Sequence, residues 1–221
     1  TFNLYVTVNK IHEGVCIADE APDLIPGSPY KYNGDPEFGH AVVDAIKGAD
    51  LAVGLMDSPH FKWDYASYVP LHYLDPDATV PVVLLPSVVC SDLDENLKVG
   101  GLVHDAAVKS NKKAIFLGSC ALAHKVVRGP HLWPSEEHMD TDKKLISMFC
   151  EGKIDALIDW LPDYARDVVT EMGGRPMAGM LGATAAMANA NSSGNGVRGK
   201  QWGPYGQSSG SGNASICVLP H

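Results

Sequence analysis

Pro81-Val82-Val83-Leu84-Leu85-Pro86, the helically spaced Leu97, Leu102, Val103, Ala106 and Ala107, and then Ala114-Ile115-Phe116-Leu117-Gly118 decide the fold class. Two short, wholly apolar runs bracket an amphipathic stretch over residues 94–111. Apolar runs without alternation read as strands covered on both faces, and a helix between two of them reads as a right-handed crossover. The expectation is an α/β chain with a mixed or mostly parallel central sheet flanked by helices, in a single domain.

Outward from that unit, Phe2-Asn3-Leu4-Tyr5-Val6-Thr7-Val8 alternates as a half-buried strand does. Residues 19–36 carry Pro22, Pro26, Pro29 and Pro36 with Gly27 and Gly34, and read as a loop. Asp35-Pro36-Glu37 then opens a helix to about Lys47, with Phe38, Ala41, Val42, Ala45 and Ile46 on one face. Residues 140–171 read as three short helices. The first, with Leu145, Ile146 and Phe149, is broken by Gly152. The second holds Ile154, Leu157, Ile158 and Leu161. The third starts at Pro162 and stops at Gly173-Gly174. Residues 189–213 have the Asn, Ser and Gly content of a linker, and Ile216-Cys217-Val218-Leu219 reads as a final strand.

Charge is unevenly placed along the 221 residues. Seventeen Lys and Arg against 26 Asp and Glu give a net charge of −9. No acid occurs from Met172 onward, where only Arg175, Arg198 and Lys200 are charged, so the preceding 171 residues carry −12. An acidic chain with scattered bases lacks the basic face that nucleic acid requires. No apolar stretch approaches the about 20 residues of a membrane helix, and no signal-peptide pattern is visible. Cys16, Cys90, Cys120, Cys150 and Cys217 are odd in number and far apart, which fits a reducing cytoplasm better than a disulfide framework. The chain opens at Thr1 inside an alternating run, as though a natural N-terminal segment preceded it.

Four stretches could carry chemistry. In Gly118-Ser119-Cys120-Ala121-Leu122-Ala123-His124 a histidine follows the carboxyl end of an apolar run, the edge at which open α/β sheets bind ligands. Cys120 with His124 as base would be a thiol nucleophile, although a small buried cysteine is the commoner reading. Asp64-Tyr65 precedes Val69-Pro70-Leu71, where Asp64 has the position of a local cap. His131 and His138 stand near Glu136-Glu137 at a spacing that matches no compact metal motif. Gly206-Gln207-Ser208-Ser209-Gly210-Ser211-Gly212-Asn213 precedes a strand and has no following lysine, so a close backbone passage suits it better than a phosphate cradle.

Taken in order, Asp64-Tyr65 with Val69-Pro70-Leu71, Leu122-Ala123-His124, the block holding Gly152-Lys153 and Leu161-Pro162, and the run from Pro204 to Asn213 resemble the class III extradiol ring-cleavage dioxygenases, the superfamily of protocatechuate 4,5-dioxygenase. Asp-Tyr in place of Asp-His brings the likeness nearest to subunits of 2-aminophenol 1,6-dioxygenase. The resemblance implies cleavage by O2 of a catechol-, aminophenol- or dihydroxypyridine-like ring, at Fe(II) held by two His and one Glu. It implies His124 as acid–base residue, Tyr65 as hydrogen-bond partner of substrate or oxygen, and Asp64 and Tyr205 beside the substrate. It also implies a homo- or hetero-oligomer. The two His ligands are expected upstream of Thr1, and the Glu position falls on Gln201, a neutral amide. That substitution keeps a second expectation alive, a non-catalytic structural subunit of such an enzyme.

Overall fold

The computed structural model describes residues 3–17, 27–126, 129, 131–191 and 196–221. The first strand residue expected from sequence, Phe2, the proline-rich stretch before Gly27, and residues 192–195 of the tail lie outside them. The fold is mixed α/β, and its contacts group into two compact units, Thr1–Cys90 with Ala106–Lys113, and Ser91–Asp105 with Ala114–His221.

The first unit contains β1 (Tyr5–Thr7), β2 (Ile11–Val15), β3 (Pro29–Asn33), α1 (Pro36–Gly48), β4 (Gly54–Met56) and α2 (Tyr65–Leu74). β1 pairs with β4 in parallel, and β2 with β3 antiparallel, Ile11 opposite Asn33. Residues 29–33 are thus a strand inside the expected loop. Pro29 stands at its first position, where a missing N–H costs no ladder bond, and Tyr30 and Tyr32 both point into the core. Asp35 caps α1, its carboxylate accepting from the Phe38 N–H at 2.9 Å. Val42, Val43 and Ile46 bury the inner face of α1.

The apolar run 81–86 forms no ladder of its own. Val82 makes one bridge to Gly34, and Leu84 exchanges hydrogen bonds with Thr7, its N–H donating to Thr7 Oγ1 at 2.8 Å. A proline at each end limits how far a ladder can extend. The core of this unit is aromatic. Trp63, 1% exposed, stacks on Tyr30 with ring centroids 4.5 Å apart and lies against Tyr32 and His12.

α3 (Leu93–Lys109) belongs by contacts to the second unit through Asp105 and to the first from Ala106. The second unit continues with α4 (Glu136–Cys150), α5 (Ile154–Asp167), a 3-10 turn (Glu171–Gly174), α6 (Arg175–Ala190), β5 (Val197–Ser208) and β6 (Ser211–Pro220). Gly152 breaks α4 from α5 as expected, at φ +72°, where a Cβ would collide with the Val197 carbonyl.

Pro162 does not start a helix but lies inside α5, on its exposed side, because Leu157, Leu161 and Tyr164 hold that helix continuous against the core. Residues 114–118 are no buried strand among the described residues: Ile115 is 90% exposed. Residues 197–208, within the expected linker, are one arm of a long antiparallel hairpin, with β6 carrying the expected final strand, and its register shifts between Trp202 and Gly206. The core of this unit gathers Leu145, Phe149, Leu157, Leu161, Tyr164, Met177 and Leu181.

Candidate functional site

In the second unit, a short loop presents His124. Every backbone N–H from residue 121 to residue 124 is used. Ala121 donates to Glu171 Oε2 at 2.6 Å, and Ala123 to Asp142 Oδ2 at 3.2 Å. Leu122 donates to the Gly212 carbonyl at 2.8 Å, and His124 to the Val168 carbonyl at 3.2 Å. Gly212 returns a bond, its N–H donating to the Ala123 carbonyl at 2.8 Å. The glycine-rich run therefore docks on the histidine loop by its backbone, the close passage expected from its sequence. A Cβ on Gly212 would collide with Tyr205 Oη and Asp142 Oδ2, so this packing requires glycine. His124 is half-buried, with Leu122 and Ala123 buried beneath it.

Asp142 on α4, which the sequence reading passed over, is the hub of this region. Its carboxylate is fully buried. Oδ1 accepts from Tyr164 Oη at 2.8 Å, and Oδ2 from Tyr205 Oη at 2.6 Å as well as from Ala123. Burial pushes the Asp142 carboxyl above its ordinary range, and the three donors pull it only part of the way back. The Tyr205 and Tyr164 phenols are both raised, by burial first and then by the Asp142 charge, so both stay protonated as donors. The signal available in sequence was an acid at a helix position between apolar Leu145 and the preceding turn, on the face that should be buried.

Cys120 does not suit a nucleophile. Burial, with the Glu171 carboxylate adding to it, pushes its thiol up to about 12. The thiolate is the reactive form, and it is scarce at neutral pH. His131 is exposed, and His138 takes part in the start of α4, its N–H donating to Ser135 Oγ at 3.2 Å. Tyr205 also faces Trp133, with ring centroids 6.3 Å apart.

Gln201 is half-buried on β5 opposite Ile216. Its neighbour Lys200 lies over the Trp202 ring at 3.9 Å. Among the described residues no three His, Cys, Asp or Glu group together as a metal site, and an amide at position 201 brings no charge to a divalent ion. The donor set described does not fit Fe(II).

In the first unit, Asp64 caps α2, its Oδ1 accepting from the Ser67 N–H at 3.1 Å and from the Ser67 hydroxyl at 3.2 Å. The local cap is therefore real. Tyr65 begins α2 half-buried and packs on the Trp63 cluster. His12 is 3% exposed, with Nε2 3.2 Å from the Val82 carbonyl.

The family described as the catalytic LigB subunit of aromatic ring-opening dioxygenase matches residues 2–203. The chain is 26% identical over 161 residues to 3,4-dihydroxyphenylacetate 2,3-dioxygenase of Escherichia coli, covering 69% of this chain and 58% of that protein. It is 27% identical over 159 residues to the 2-aminophenol 1,6-dioxygenase beta subunit of a Pseudomonas species, covering 65% of this chain and 52% of that one. The chain thus spans little more than half the length of these relatives. The crystal structure of an uncharacterized protein from Escherichia coli K12 superimposes with a TM-score of 0.66 over 97% of this chain and 80% of that one, at 16% identity.

Proposed function

Because the chain belongs to the LigB family, that of the catalytic subunit of aromatic ring-opening dioxygenase, we propose that it opens an aromatic ring bearing adjacent hydroxyls, or a hydroxyl and an amine, with O2. The observation that carries the reading is the four-point backbone clamp on the His124 loop, joined through Asp142 to the Tyr205 phenol. An imidazole carried on a backbone held in this way is a group able to take the proton of a substrate hydroxyl and to return it as the ring opens. Tyr205 stays protonated as the donor to Asp142, and Tyr65 and Asp64 enter the reading from the family resemblance alone. Fe(II) is the metal this reading calls for, and the donor set described does not hold it. A cytoplasmic homo- or hetero-oligomer completes the reading. No described helix is long and apolar enough to cross a membrane.

The test is anaerobic loading of the full-length protein with Fe(II), then a panel of catechols and aminophenols with air, followed by absorbance of yellow ring-opened products. Turnover is expected, and none by the full-length protein with its natural partner would refute the proposal. His124→Phe should lower kcat by roughly 100- to 10,000-fold with iron content unchanged. Loss of iron in that variant would refute the acid–base role.

Gln201 supports a second reading, a subunit that assembles with a catalytic one and does no chemistry itself. Iron analysis separates the two: about one Fe per full-length chain rejects the second.

A further inference from the structure

We propose that Asp142 is the positioning residue of this site, holding the His124 loop and the Tyr205 phenol in one fixed arrangement through a single carboxylate. The proposal rests on the reading of His124 as the acid–base residue. Its argument begins with cost. A carboxylate 0% exposed is expensive to bury, and among the described residues no Lys or Arg forms an ion pair with it. An apolar side chain would fill the same space at less expense. What an apolar side chain cannot do is accept several donors at once.

Asp142 accepts from three distant parts of the chain: the Ala123 N–H one residue before His124, the α5 phenol Tyr164, and the β5 phenol Tyr205. The two groups that concern the proposed chemistry share one oxygen, Oδ2, while Tyr164 takes Oδ1 alone. The distance between the His124 loop and the Tyr205 ring is thereby set by an atom common to both. Gly212 clears room for that shared atom and bonds back to Ala123 and Leu122.

The separate roles of the two oxygens give the test. Asp142→Asn can keep an oxygen at the Oδ2 position and turn its amide toward Tyr164, so it should fold and keep kcat within about threefold of wild type. Asp142→Ala removes the common acceptor. Its kcat should fall by roughly 10- to 100-fold, the scale of a misplacement of about 1 Å, with KM changed less than kcat. Tyr164→Phe is the control, expected to lose stability while keeping kcat. A readout independent of turnover is taken on metal-free protein: hydrogen exchange of the Ala123 amide and the NMR shifts of the His124 ring. Both should change in Asp142→Ala, stay near wild type in Asp142→Asn, and hold in Tyr164→Phe. If Asp142→Ala does not fold, Gly212→Ala takes its place, since its Cβ forces Tyr205 Oη and Asp142 Oδ2 apart without emptying the space.

Unchanged His124 shifts and unchanged kcat in the folded breaking variant would overturn the proposal. So would a kcat loss in Asp142→Asn as large as in Asp142→Ala. Should wild type show no turnover while the NMR changes follow the expected order, the positioning role stands and the ring-opening reading alone falls.

Discussion

At Cys120, burial and the nearby Glu171 carboxylate together set the reactivity of a side chain that sequence presents as a nucleophile. Alkylation by iodoacetamide at pH 8 should label Cys90 and Cys217, both exposed, well before Cys120. With its thiol near 12, the rate at Cys120 should still be climbing above pH 10, which peptide mass spectrometry of timed samples would read. Rapid labelling at pH 8 would contradict that environment. The same residue scale shows why the site was only half legible. His124, Tyr65, Asp64 and Tyr205 stand out because their side chains have chemistry of their own. Asp142 does not, because an acid on a charged helix reads as solvated until the packing shows it buried among Ala123, Tyr164 and Tyr205. Asp64 was legible as a cap, because a cap is a local matter visible in four residues.

Among the elements, α1 shows how a cap becomes a pH-dependent contribution to stability. Burial by itself would raise the Asp35 carboxyl, but the Lys112 ammonium at 2.6 Å and the Phe38 N–H overcome it and hold the group below its usual range. A depressed carboxyl stabilises the fold above its unfolded value, and the contribution disappears as pH falls through the folded one. Asp35→Ala should therefore cost about 1 kcal/mol as a lost cap at pH 7. The difference from wild type should shrink as urea denaturation is repeated from pH 6 down to pH 3. A gap that stayed constant would place the stabilisation elsewhere. Elements with local signals were legible: α1 by Asp35-Pro36, the α4–α5 break by Gly152. α6 was not, because Ala178, Gly179, Leu181, Gly182, Ala183 and Thr184 are all buried and leave no polar face to give a period. The α5 proline misled for a related reason. Pro162 removes one N–H, but Leu157, Leu161 and Tyr164 bury enough surface on the opposite side to carry the helix through it.

For the whole molecule, the net charge of −9 is concentrated ahead of Met172. Most described ion pairs are exposed and short in sequence range, such as Lys143 with Asp140 and Arg166 with Asp163, and exposed pairs of this kind add little. Self-repulsion among acids then outweighs them, and salt screens it within about 10 Å at 0.1 M. Raising NaCl from 10 to 200 mM at pH 7.5 should raise Tm, followed by circular dichroism. A fall in Tm would mean that ion pairs, not repulsion, dominate. At this scale the mixed α/β class could be read from local patterns, and the pairing could not. The runs at 81–86 and 114–118 are apolar enough for strands, yet one is bounded by prolines and the other leaves Ile115 in solvent. Pairing depends on partners far away in the chain, which no local pattern encodes.

The exchange of hydrogen bonds between Gly212 and Leu122-Ala123 has a consequence in time. These partners lie about ninety residues apart, and contacts of such sequence separation form late, after loop closure has been overcome. Among the described residues, the Leu122 N–H and the Ala123 carbonyl bond to Gly212. During synthesis, at about 5–20 residues per second, the His124 loop leaves the ribosome seconds before the strand that fixes it. For that interval the loop carries His124 without the strand that holds its backbone, and the arrangement seen in the fold follows only when the hairpin docks.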